Sequence, residues 1–103
     1  MQTISAQKFR DEATVEAKRA AGDYEVFVSP VFEIEGEQFR VIMDGHHSME
    51  AAILDGVEPE FIEQSARDND TVALIAAGNI DDFLAAHRND CDYYDIATGH
   101  DIW

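Results

Sequence analysis

Five consecutive residues, Asp44-Gly45-His46-His47-Ser48, hold the densest run of chemistry-bearing side chains in the chain. A glycine that ends a strand and opens a helix leaves first-turn backbone amides without partners at the positive end of the helix dipole. That arrangement captures phosphate groups with few charged side chains. His46 and His47 can donate to phosphate oxygens or carry a proton near neutral pH, which makes them the candidate catalytic groups. Ser48 adds a hydroxyl donor, Asp44 an adjacent acid, and Glu50 a carboxylate that could close a capping box. The same residues equally suit a tight strand-to-helix connection with surface histidines, and spacing alone does not choose between the two.

The flanking elements must position this turn. Residues 6 to 21 are rich in helix formers, with Ala13, Ala17 and Ala20 on one stripe and Gly22 as the stop, and predict a surface helix. From Tyr24 the period changes to two, through Val26, Val28, Phe32 and Ile34. Gly36-Glu37 predicts a hairpin turn, with Gly first, into a strand over Gln38 to Met43. A second helix follows from His46 to Gly56 with Met49, Ala52 and Ile53 at core spacing. Pro59 to Gln64 reads as a short strand. Asp70 is the expected cap of a helix over Thr71 to Ala77, and Asn79 of one over Ile80 to His87 with Asp81 and Asp82 in its first turn. In the acidic, aromatic tail, Tyr94, Ile96 and Trp103 are expected to fold back on the core. These elements predict a single α+β domain over 1–103: an N-terminal helix, a short mixed or antiparallel sheet with a hairpin, the strand–turn–helix unit and two further C-terminal helices.

Composition limits what such a domain does. The 103 residues include 22 Asp or Glu against 7 Lys or Arg, a formal charge of −15, with 46% hydrophobic residues. That apolar fraction supports one small core. The charge argues against direct DNA or RNA binding, where Lys and Arg must displace counterions, and against anionic membrane surfaces. No apolar run approaches the roughly 20 residues that cross a bilayer, and residues 1 to 8 lack the apolar stretch of a secretory signal, so a cytoplasmic location is expected. Cys91 is the only cysteine, which precludes an internal disulfide. No metal is expected, since adjacent histidines project apart and Asp90, Asp92, Asp95 and Asp101 lack the order of a calcium loop. Ser48 lacks the G-x-S-x-G setting of a hydrolase nucleophile.

The stretch Arg40-Val41-Ile42-Met43-Asp44-Gly45-His46-His47-Ser48-Met49-Glu50-Ala51-Ala52 resembles the strand–turn–helix motif of the ParB/sulfiredoxin-like superfamily, over about 25 residues from Phe32 to Val57. The resemblance implies a nucleotide phosphate held by Gly45, His46, His47 and Ser48, with Asp44 beside it. Two departures qualify it. Ser48 stands where related motifs carry an Arg, and Cys91 is far from the turn where sulfiredoxin chemistry needs a cysteine. The chain also has no helix-turn-helix region of the kind partition proteins use on DNA.

Two functions follow as expectations. In the first, the domain binds a nucleotide or other phosphorylated small molecule at Gly45 to Ser48. In the second, it is an acidic DNA mimic of phage or mobile-element origin, an inhibitor that occupies the basic cleft of a host nucleic-acid enzyme. Residues 41 to 103 hold two basic and fourteen acidic residues, and there Asp81, Asp82, Asp90, Asp92, Tyr93 and Asp95 would meet the partner.

Overall fold

A computed structural model describes residues 1–103. In chain order the elements are β1 (Gln2–Ser5), α1 (Glu12–Ala21), β2 (Glu25–Val28), β3 (Phe32–Ile34), β4 (Glu37–Asp44), α2 (His46–Asp55), β5 (Glu60–Glu63), α3 (Val72–Ala76), α4 (Ile80–Ala86) and β6 (Tyr94–Asp95). The fold class is α+β, with four helices on a mixed six-stranded sheet of order β5-β2-β4-β1-β6, and β3 paired with β4. No helix is long and apolar enough to cross a membrane.

The sheet is built around β4. On one edge it runs parallel to β1, with Thr3 opposite Arg40; on the other it is antiparallel to β2 and then to β3. Between β2 and β3 the chain passes Ser29-Pro30-Val31, where proline interrupts strand pairing. Ser29 Oγ takes over there and accepts from Val41 N at 2.9 Å. β5 adds a parallel edge to β2, and β6 an antiparallel one to β1.

Alternation along β4 sends its side chains to two separate cores. Phe39 and Val41 join Ile4, Phe32, Phe83 and Tyr93 in the larger cluster, against which Leu74, Ile75, Ile80 and Leu84 of the C-terminal helices pack. Ile42 joins Val26, Val28 and Met49 of α2 in the smaller one. The tail folds back on the first core in part: Trp103 stays 55% exposed while its ring lies 5.4 Å from Phe39 and 5.9 Å from Tyr93, and Tyr94 is buried outside that cluster. Ile96 packs on the second cluster.

Several local expectations are corrected. The first helix starts at Glu12, because Asp11 adopts an extended backbone and its carboxylate accepts from Thr14 N. Its buried residue is Val15, while Ala13, Ala17 and Ala20 are exposed. The hairpin turn is Glu35-Gly36 rather than Gly36-Glu37. Both residues have positive φ, 51° and 84°, and Gly occupies the second position, as the twist of a two-residue hairpin favours. On α2, Ser48, Ala51 and Ala52 are buried with Met49, whereas Ile53 is 51% exposed. The N-terminus of α3 is held by Asn69, whose Oδ1 accepts from Thr71 N at 3.0 Å, not by Asp70. α4 ends at Ala86, leaving His87 as its C-cap.

Candidate functional site

β4 delivers its last residue, Asp44, to Gly45, which has φ 86° and is the N-cap of α2. A Cβ at Gly45 would stand 2.6 Å from the Glu25 carbonyl oxygen and 3.1 Å from Val26 Cα, so only glycine lets the turn pass this close to β2. Asp44 Oδ1 accepts from Gly45 N at 2.7 Å. The first α-helical bond runs from Met49 N to Gly45 O, which leaves the amides of His46, His47 and Ser48 without an intrahelical acceptor. Glu50 makes no cap bond, because with Gly45 as the cap the third helical position is Ser48 and the Gly45 amide already donates to Asp44.

The two histidines part company. His46 is buried, with Nε2 2.9 Å from Ser5 Oγ, and so ties α2 to the end of β1. Burial, reinforced by the Arg10 charge, pushes its pKa down to about 4, so it is neutral at pH 7. His47 points to α1, where its Nε2 accepts from Asp11 N at 3.1 Å, a contact that leaves the neutral ring's proton on Nδ1. Ser48 is buried and turned toward Asp23; the Lys18 ammonium, the Glu25 amide and this hydroxyl together hold the Asp23 carboxyl below its ordinary range.

Tertiary structure supplies what the local sequence lacks. The guanidinium of Arg10 is close enough to His46 to disfavour its protonation. Arg10 Nη1 donates to the Gln7 and Phe9 carbonyls and Nη2 to Tyr94 Oη, while Nε is buried with no partner. The carboxylate of Asp90 accepts from Lys8 N at 2.7 Å and Phe9 N at 3.0 Å, fixing the segment that carries Arg10, and its own pKa is lowered by those bonds. Beside His46 opens a polar recess of about 170 Å³, lined also by Gln7, Ile42, Met43, Ala86, His87, Arg88 and Asn89. Asn89 Nδ2 donates to Gln7 Oε1 at 2.9 Å, and Arg88 pairs with Asp92. His87 Nε2 lies 2.7 Å from Thr71 Oγ1, and burial lowers its pKa as well. The recess sits where the parallel strands β1 and β4 end, the edge at which open sheets take ligands. Sequence spacing did not reveal Arg10, which precedes the turn by more than thirty residues; its one local signal is its place just before the Asp11 cap.

The residues expected to face a partner are scattered in role. Asp81 and Asp82 are exposed on α4 and make no ion pair. Asp90 holds the segment after β1, Asp92 meets Arg88, and Asp95 Oδ1 accepts from Ala97 N. Tyr93 is corrected from exposed anchor to core residue. It is 5% exposed, its hydroxyl donates to Leu84 O at 2.6 Å, and burial raises its pKa to about 12. No group of three His, Cys, Asp or Glu side chains converges to metal-binding geometry.

Fold and site together define an α+β domain whose central strand enters a helix through a left-handed glycine, near a half-buried arginine and a small polar recess. No protein-family model, curated protein or solved structure matches the chain.

Proposed function

We propose that the domain binds a small anion, the phosphate of a nucleotide or another phosphorylated molecule, at the start of α2. The observation that carries this reading is the buried, unpartnered Nε of Arg10 close to His46, at the end of a helix whose first three amides have no intrahelical acceptor. A buried donor without a partner costs about 1–3 kcal/mol, and a small turn of the Arg10 side chain toward an anion beside His46 would give it an acceptor. The cation that the local motif lacks at Ser48 is thus available from residue 10. Arg88 and Asn89, across the recess, extend the polar surface available to the rest of the ligand. The recess takes a group the size of a phosphoryl rather than a whole nucleotide, so a base and sugar would lie outside it. The resemblance to the ParB/sulfiredoxin-like superfamily agrees with this ligand class, and the protein would work in the cytoplasm. His46, neutral and held by Ser5, acts here as a fixed wall; no turnover is proposed.

Amide chemical shifts test this directly. Titration with inorganic phosphate, AMP, ATP and CTP should move the His46, His47 and Ser48 amides in a saturable way. Arg10→Gln should weaken binding at least about tenfold, the loss of one charge-assisted contact. Unmoved amides with every ligand in the native protein would refute the proposal.

The second reading, an acidic mimic that engages a basic partner, draws support from Asp81 and Asp82 and from the scarcity of compensating charge. Only Glu16, Asp23, Asp55 and Asp92 of the 22 acidic residues form ion pairs. It requires an acidic face broader than the residues first assigned to it. Steep loss of partner binding with salt distinguishes it from anion capture by buried donors.

A further inference from the structure

A cavity of about 460 Å³ lies away from the α2 turn and shares no lining residue with the recess there. Its floor is Arg40 on β4, in register with Thr3 on β1. Arg40 is held by two contacts: Nε donates to Thr3 Oγ1 at 2.9 Å, and the guanidinium carbon stands 4.0 Å from the Phe61 ring centroid. It forms no ion pair, although the chain has three times as many acids as bases. Burial of the guanidinium lowers its pKa from the ordinary arginine value, with Glu63 opposing at longer range. The Nη atoms donate to no protein group, so an oriented, partly desolvated cation faces the cavity with its donor pair unused.

The walls specify the rest of the ligand. Met49, Ile53, Pro59 and Ile96 give an apolar lining, and the volume falls in the range of small-molecule sites, roughly 300–1,000 Å³. Glu58 and Asp95 also line the cavity and repel a dianion, such as a phosphate monoester, more strongly than a monocarboxylate. We propose that this cavity is a binding site for a small monocarboxylic acid with an apolar body, the carboxylate paired with the Arg40 guanidinium and the body lying against Met49, Ile53 and Phe61. A carboxylate matches the planar donor pair of arginine, and the half-buried setting strengthens that pairing over one in open water.

Isothermal titration and amide shifts with 4-phenylbutyrate, its neutral amide and inorganic phosphate test the site. The acid should bind saturably and move the Thr3, Arg40, Ile53 and Ile96 signals. The amide should bind at least about tenfold more weakly, and phosphate should leave these signals in place. Arg40→Gln should remove the preference for acid over amide. Ile53→Glu, at a position already 51% exposed and therefore compatible with folding, should weaken the acid by adding a negative wall. Arg10→Gln should leave this binding intact, so its outcome is separable from that of the phosphate site. Equal affinity for acid and amide in the native protein, unsaturable binding of the acid, or an unchanged affinity in Ile53→Glu would each overturn the assignment.

Discussion

Replacing Gly45 by alanine isolates the cost of the close approach on which the turn depends. Gly22 provides the reference, because it also caps a helix in the left-handed region, with φ 64°, and an added Cβ there meets nothing within 4 Å. At Gly22 the penalty is therefore conformational, about 1–2 kcal/mol. At Gly45 the same penalty applies, and the new methyl also meets the Glu25 carbonyl oxygen at 2.6 Å and Val26 Cα at 3.1 Å. Both are backbone atoms of a paired strand, so relief requires β2 to move away from the turn, an overpacking cost of about 1–3 kcal/mol more. For a domain of this length each kcal/mol shifts the melting temperature by about 4–8 °C. Thermal denaturation followed by circular dichroism should place Gly45→Ala at least about 5 °C below Gly22→Ala, and both below the native protein. Equal melting temperatures for the two variants would show that β2 does not constrain the turn. The same geometry means that a bulky residue at position 45 removes the fold before it can report on ligand binding, which is why the ligand tests use Arg10 instead.

Two further outcomes follow from groups whose titration the fold shifts. His46 has a folded pKa of about 4 against an ordinary 6.5, so between those values the unfolded chain binds the extra proton. Stability is fully present above pH 6.5 and falls by about 2 to 3 kcal/mol as pH drops toward 4; urea midpoints for native protein and His46→Gln should diverge across that window, and parallel curves would sink the assignment. Asp90→Ala removes the acceptor of the Lys8 and Phe9 amides and should lower the melting temperature at neutral pH. Because the folded carboxyl titrates below its ordinary range, that difference should shrink as the carboxylate is protonated, and a pH-independent difference would contradict the hydrogen-bonded role.

The sequence by itself determined the α+β class and the elements with local signatures. The two-residue alternation from Tyr24 to Ile34 and through β4, the caps at Gly22, Gly45 and Gly56, and the helical spacing after His46 act within a few residues of one another, so they are legible without the fold. The strand-to-helix turn at Gly45 belongs to this local set. Tertiary structure alone decided β1 and β6, since Gln2–Ser5 carries no apolar alternation and Tyr94–Asp95 has only two residues, and both exist as strands through pairing with distant partners. It also decided which face of α1 is buried: Val15 faces inward and the alanine stripe outward, because the position of α2 rather than composition selects the face. The site divides in the same way. Asp44 to Ser48 are contiguous in sequence, but the burial of His46 against Ser5, the engagement of His47 by Asp11, the approach of Arg10 and the setting of Arg40 between Thr3 and Phe61 arise only when β1, α1, β5 and the C-terminal segment assemble around β4. Protonation state, burial and charge pairing depend on which atoms become neighbours across the chain, and no spacing within one segment encodes that.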